Sequence, residues 1–303
     1  VKEIREDLRR TMTEIFPRKV LLLLNQSLVY EKLLPQITAT NEVDINEEVP
    51  RRLGPYLCVP FGEILKKRIL PNTTTKSMHT EKYFDKDFKT WRIEAFPNYM
   101  NIPDQVNMIR SFNKDLLLVD DLLHKGYRLN RLMPLLKEQE VPVKRLFVGL
   151  LSGLGKATAE RYQLDVSYAY FVPRLDRWFH ESKLYPFIGG DGVEGAFNGF
   201  SQGLIPSVNL ILPFNSIPYM RDLGLEDQAK LSMVCLHNAK KLLVCLEELF
   251  QEHRYSILYA ENLGEVITQP RFPYLGEGVH LAKQQKASDL LTEIEKRLER
   301  LGI

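Results

Sequence analysis

The amino-acid sequence predicts an α/β protein: a central, mostly parallel sheet with helices on both faces and helical additions at both ends. Two observations lead there. Leu116, Leu117, Leu118 and Val119 form a continuous apolar run, as expected for a parallel strand covered on both faces. Similar runs alternate through the middle of the chain with segments of helical periodicity, and such alternation implies a parallel sheet with right-handed crossovers.

Each element follows in order. Ile4, Leu8, Met12 and Ile15 recur about one helical turn apart, so the chain opens with an amphipathic helix that Pro17 ends. The apolar residues 20–24 fit a strand or a buried helical turn, and periodicity does not separate the two. Tyr56, Leu57, Cys58 and Val59 read as a strand, Pro60-Phe61-Gly62 as a tight turn, and residues 63–70 as a helix. Residues 71–90 are polar and read as a loop. Residues 91–96 read as a strand and 102–112 as a helix. Asp120 and Asp121 close the strand at 116–119, a loop follows, and 129–140 form an amphipathic helix. Strands are expected at 146–150 and 166–172. Further on, 226–252 is a long helix with Leu231, Val234, Cys235, Leu242, Cys245, Leu246 and Leu249 as its apolar positions. Residues 254–280 read as loops, and 287–301 as a charged amphipathic helix. The organisation expected is a helical extension over 1–49, an α/β core over 50–195 and a mainly helical extension over 196–303.

Composition narrows the functional classes. Hydrophobic residues make up 44% of the 303 and charged residues 26%, with a net charge of +2. That balance fits a globular protein and argues against a dedicated nucleic-acid or membrane-surface binder. No segment reaches the roughly 18 apolar residues that span a bilayer. Cys58, Cys235 and Cys245 form no CxxC pair, which argues against structural zinc and makes a reduced, cytoplasmic setting the expectation. The chain opens on Val1, so a further domain preceding it is an expectation too.

The chemistry centres on Leu116-Leu117-Leu118-Val119-Asp120-Asp121-Leu122-Leu123-His124-Lys125-Gly126-Tyr127-Arg128. Four apolar residues, an acidic pair and a short glycine-bearing loop before a helix make a place for an anion, because helix-start amides attract negative charge and glycine admits close approach. The segment resembles the signature of type I phosphoribosyltransferases. The resemblance implies that Asp120 and Asp121 contact the ribose hydroxyls of phosphoribosyl pyrophosphate. It implies that the loop of His124, Lys125, Gly126, Tyr127 and Arg128 holds the 5′-phosphate. Gly126 matches the family's glycine. The family's two loop threonines are Lys125 and Arg128 here; both are charged donors, so retained anion binding is expected.

Three further segments fall in the family's order. Phe61, Gly62 and Glu63, after Cys58-Val59-Pro60, resemble the pyrophosphate loop. Lys76, His79 and Lys82 lie where the family keeps a mobile loop that closes over substrate, and they are candidate phosphate contacts. Phe187-Ile188-Gly189-Gly190-Asp191 resembles a late segment near the base-binding hood, and Asp191 matches an aspartate that assists Mg²⁺ in some members. Mg²⁺ is therefore the implied cofactor, phosphoribosyl pyrophosphate or a nucleotide the implied ligand, and transfer of phosphoribosyl to a nitrogen base the implied reaction. Members of the family often form dimers, which makes a homodimer an expectation.

Other readings stand beside this one. An acidic pair ends strands in many α/β proteins, and residues 73–82 fit a solvated surface loop. His180 and His237, and the cysteines of the 226–252 helix, read as structural. A non-catalytic nucleotide-sensing module, or a scaffold module using the C-terminal helices, is the alternative function. Residues 149–157 imitate a phosphate-binding P-loop, but five residues separate Gly149 from Gly155-Lys156, one too many, and Ala157 lacks the hydroxyl that Mg²⁺ needs. The sequence excludes that motif; its glycines imply a flexible or closely packed turn.

Overall fold

The structure is a computed structural model. It describes residues 1–44, 53–62, 70–85, 90–96, 99–193, 207–209, 211–214, 222–254, 256–259, 262–263, 284–300 and 302. The chain divides into two compact units. One comprises Leu23–Glu81 and Ile93–Asp176; the other comprises Val1–Leu22, Lys82–Arg92 and Arg177–Ile303.

The first unit is built on five strands: β1 (Leu57–Pro60), β2 (Thr74–Thr75), β5 (Leu116–Leu123), β6 (Val143–Ser152) and β7 (Val166–Val172). Their order is β2-β1-β5-β6-β7, and every neighbouring pair is parallel. Side chains alternate between the faces of a strand, and the packing shows it. Leu57, Val59, Leu116, Leu118 and Val148 point into one core with Ile102, Val106, Leu129, Leu132 and Ala159. Cys58, Leu117, Val119 and Phe147 point into another with Val29, Leu33 and Ile37. Thus α3 (Ile102–Arg110), α4 (Tyr127–Glu138) and α5 (Gly153–Arg161) cover one face, and α2 (Gln26–Thr40) covers the other. The α/β architecture predicted from the apolar runs is the one found.

Three local expectations change. β5 does not stop before its acidic pair; it runs on to Leu123, with Asp120 opposite Val148 and Leu122 opposite Leu150. The buried carboxylate of Asp120 is tolerated there because it is ion-paired within the same unit. Residues 20–24 are neither strand nor buried turn. Val20, Leu21, Leu22 and Leu23 are exposed and lead to α2, which begins where Asn25 Oδ1 accepts from the Ser27 N–H at 2.8 Å. Residues 71–90, expected as loop, contain β2 and all of β3 (Thr80–Phe84). β2 is the edge strand of its sheet, where polar residues are tolerated, whereas β3 lies inside its own sheet with Tyr83 and Phe84 buried. The segment expected as a helix at 63–70 lies, but for Leu70, outside the described residues, as do most of the loops expected at 254–280.

The second unit has its own core, formed by Ile4, Leu8, Met12 and Ile15 of α1 (Lys2–Ile15) with Leu231, Cys235 and Leu243 of α7 (Leu225–Arg254) and Leu291 and Leu298 of α8 (Ala287–Arg300). The amide of Asn238 donates to the Ile4 carbonyl at 3.0 Å, and Glu247 accepts from the Ser288 hydroxyl at 2.6 Å, fixing the start of α8. α1 therefore shares a core with α7 and α8, from the other end of the chain. A second sheet has the order β4-β3-β8-β9, with β4 (Trp91–Ala95), β8 (Asp191–Val193) and β9 (Ser207–Val208); within it Tyr83 lies opposite Gly192 in parallel register. A single short helical turn, α6 (Glu181–Leu184), precedes β8. No helix among the described residues is long and apolar enough to cross a membrane.

Candidate functional site

The order of the five-stranded sheet reverses at one place. From β1 the chain adds β2 on one side, then returns to add β5, β6 and β7 on the other. Open α/β sheets bind ligands outside the carboxyl ends of the strands at such a reversal. Here those ends are Phe61 and Gly62 after β1, and Asp120 to Arg128 at the end of β5 and beyond.

The two loops are in close contact. The Phe61 N–H donates to the Val119 carbonyl at 2.9 Å. A β-carbon on Gly62 would lie 2.6 Å from Asp120 Oδ1 and 2.6 Å from the Asp121 nitrogen, so only glycine fits beside the acidic pair. Both aspartates are buried. Asp120 Oδ1 accepts from the Asp121 N–H at 2.8 Å and from the Arg128 guanidinium at 2.6 Å. Arg128 Nη1 also lies 3.3 Å from the Phe61 carbonyl. Arg128 is thus a clasp across the two loops.

The loop after β5 is short, since α4 starts at Tyr127. Gly126 caps that helix in the left-handed region, at φ 69°, where glycine carries no steric penalty. The first amides of α4 have no intrahelical acceptors, so they face the same end of the sheet with the helix dipole behind them. Lys125 and Tyr127 are exposed. His124 is half-buried, and its Nδ1 is 2.8 Å from the Ser152 hydroxyl. Burial, with the neighbouring Lys125 ammonium, holds the imidazole below its usual pKa.

The P-loop look-alike proves to be the wall behind this loop. Gly149 lies inside β6, and Ser152 caps α5 directly, accepting from the Gly155 N–H at 3.1 Å. No phosphate-cradling loop intervenes. Gly155 packs so closely that a β-carbon would meet the Leu123 carbonyl oxygen at 1.9 Å, and one on Gly126 would meet the Thr158 methyl at 2.5 Å. Arg161 donates to Asn130 Oδ1 at 2.6 Å. Of the two alternatives these glycines left open, a flexible or a closely packed turn, the structure has the closely packed one. Ser152 and Thr158 were not among the candidates; the readable signal was a serine three residues before a glycine at a strand-to-helix junction.

The remaining candidates divide. Lys76 and Met78 continue alongside β1, their N–H groups donating to the carbonyls of Cys58 at 3.0 Å and Pro60 at 2.8 Å. His79 follows, its N–H bound by Gln105 Oε1 at 2.7 Å and its ring 4.1 Å from the Tyr99 ring. Lys76 and His79 are therefore in the same unit as the acidic pair and border its β1 edge. Lys82 and Asp191 belong to the other unit. Asp191 is buried there between two ammonium groups, Lys183 at 2.5 Å and Lys82 at 3.6 Å, and Lys82 also lies over the rings of Phe84 and Trp91. Glu63 lies outside the described residues.

These surroundings bear on Mg²⁺. No group of three or more acidic, histidine or cysteine side chains that could hold a metal occurs among the described residues. Asp120 and Asp191 both carry cationic partners that a divalent ion would have to displace. The described residues do not form a preformed metal site.

No family model matches the chain, and no curated protein matches it. Among solved structures, the chain is similar to a purine phosphoribosyltransferase from Pyrococcus horikoshii at 15% identity, over 52% of this chain and 89% of that one, with a TM-score of 0.30. It is similar to a hypoxanthine phosphoribosyltransferase from Staphylococcus aureus at 17% identity, over 51% and 79%, with a TM-score of 0.28. A hypoxanthine phosphoribosyltransferase from Trypanosoma cruzi aligns over 59% and 84%, at 10% identity and a TM-score of 0.27.

Proposed function

We propose that the chain binds phosphoribosyl pyrophosphate or a nucleotide at residues 120–128 and transfers phosphoribosyl to a nitrogen base. The carrying observation is the convergence of Gly62 on the Asp120–Asp121 pair at the reversal point of a parallel sheet. In this reading the acidic pair accepts from the ribose hydroxyls, and the Gly126–α4 junction with Lys125 holds the 5′-phosphate. The Phe61–Gly62 turn lies beside the diphosphate, with Lys76 and His79 as flanking cations or donors. Positive charge grows at the sugar carbon as diphosphate leaves, so rate acceleration comes from positioning and electrostatics more than from one strong base. Mg²⁺ would arrive with the diphosphate as part of the substrate. The three free thiols support a reducing, cytoplasmic setting.

The test is calorimetric titration with phosphoribosyl pyrophosphate and Mg²⁺, followed by a diphosphate-release screen over nitrogen bases. Binding by the parent protein that disappears in Asp120→Asn/Asp121→Asn supports the site. Absence of binding by the parent overturns it.

A second reading, a sensor that binds without turnover, is favoured by the Arg128–Asp120 ion pair. That pair occupies a carboxylate that a reacting ribose would need. Binding without diphosphate release for any base selects it.

A further inference from the structure

The Ser152 hydroxyl has one proton and is 1% exposed. Its oxygen accepts from the Gly155 N–H at 3.1 Å and lies 2.8 Å from His124 Nδ1. A peptide N–H can only donate, so among the described partners Nδ1 is the one place the hydroxyl proton can go. Were the ring proton on Nδ1, Ser152 would face two donors, and its own buried proton would have no acceptor. That arrangement costs about 1–3 kcal/mol. The hydrogen-bond inventory therefore puts the ring proton on Nε2. Imidazole is rigid, so anchoring Nδ1 fixes the direction of the Nε2–H bond as well.

His124 is the first residue after β5, two residues before the Gly126 cap of α4. Its Nε2 has no protein partner among the described residues. We propose that Ser152 is a positioning residue that locks His124 in its Nε2–H form, and that this N–H is a neutral donor to a phosphate monoester oxygen held by the 124–128 loop. The donor role rests on the phosphate-site reading above; the tautomer does not. A neutral donor suits the place. It binds phosphate without adding a second positive charge beside Lys125, and it needs no reorientation when ligand arrives. Ser152, Gly155 and Thr158 then form one support, since the helix that carries them also moulds the backbone at Leu123 and Gly126.

The test uses the full chain with ¹⁵N-labelled histidine. Long-range proton–nitrogen spectra at neutral pH should show His124, assigned by its loss in His124→Gln, with Nδ1 unprotonated and Nε2 protonated. Ser152→Ala should relax that preference. Ribose 5-phosphate should move the Nε2 resonance. In binding, His124→Gln, whose amide nitrogen falls near the Nε2 position, should stay within about threefold of the parent. His124→Asn, which keeps a polar atom only near Nδ1, should lose about tenfold, roughly the worth of one such hydrogen bond. His124→Gln takes the acceptor from the Ser152 hydroxyl, a loss of about 1–3 kcal/mol, so urea midpoints of both variants are read first and binding is compared where both are folded. A protonated Nδ1 overturns the proposal. An Nε2 resonance indifferent to ribose 5-phosphate, in a protein that does bind phosphoribosyl pyrophosphate, overturns the donor role and leaves the site reading intact. No calorimetric binding of either ligand by the parent overturns both.

Discussion

The Arg128 guanidinium donates to Asp120 Oδ1 at 2.6 Å and reaches the Phe61 carbonyl at 3.3 Å, so one side chain ties the end of β1 to the acidic pair of β5. Asp120 is buried, and a buried carboxylate that loses its charged donor keeps its desolvation penalty. Arg128→Met, which retains the apolar stem, should therefore destabilise the protein by about 2 kcal/mol in urea unfolding. Adding Asp120→Asn should recover part of that loss, because the uncompensated charge goes with it. Strictly additive losses would show that the two groups do not interact in solution.

The same reasoning applies to Asp191, in the other unit. Its carboxylate sits between Lys183 and Lys82, all three partly or fully withdrawn from solvent. Asp191→Asn leaves two ammonium groups facing each other and should cost about 3 kcal/mol. Mg²⁺ alone should leave the unfolding midpoint of the parent unchanged, because ligand stabilisation needs a site that the folded state offers. A midpoint that rises with Mg²⁺ and does so only when Asp191 is present would make it a metal ligand.

Acid should weaken the first unit through His124. Burial and Lys125 lower the folded-state pKa of its imidazole, so the unfolded chain takes up the proton first, near its ordinary pKa of about 6.5. The neutral ring's contribution is full above that pH and is lost as pH falls through the lower folded value. Protonation also converts Nδ1 from acceptor to donor, which ends its bond from Ser152. His124→Gln should flatten the stability profile in that window, as read by denaturant midpoints at successive pH values. An unchanged slope would mean that other groups carry it.

The sheet was legible because its strands are locally complete signals. Leu116 to Val119 is apolar on both faces and is buried on both. The candidate loop was legible because an acidic pair and a glycine sit at fixed offsets from that strand. What escaped depends on distant partners. Nothing near Asp120 announces that Arg128, eight residues on, neutralises it and lets the strand continue to Leu123. Nothing in Ile4, Leu8 and Met12 says that their helix packs against residues 231–243. Residues 71–84 were hidden differently: their strands are polar, so an apolar pattern is absent where a ladder exists. Leu21 to Leu23 misled in the opposite sense, being apolar yet exposed.

Gly126 offers the sharpest check on how the loop is held. An alanine there meets two separable penalties. Its left-handed backbone conformation, at φ 69°, costs an L-residue about 1–2 kcal/mol. Its β-carbon would also lie 2.5 Å from the Thr158 methyl, a side-chain atom, whereas the backbone nearby is not in the way. Thr158→Ser removes that methyl and keeps the hydroxyl that donates to the Leu154 carbonyl at 3.0 Å. Gly126→Ala should therefore be destabilising in urea unfolding by clearly more than the backbone term alone. In a Thr158→Ser background the excess should vanish and about 1–2 kcal/mol should remain. Gly155→Ala is the control, because its β-carbon would meet the Leu123 carbonyl oxygen at 1.9 Å, and trimming Thr158 cannot relieve a backbone clash. If Thr158→Ser rescued neither alanine, the loop would be held by its own backbone preference and not by α5.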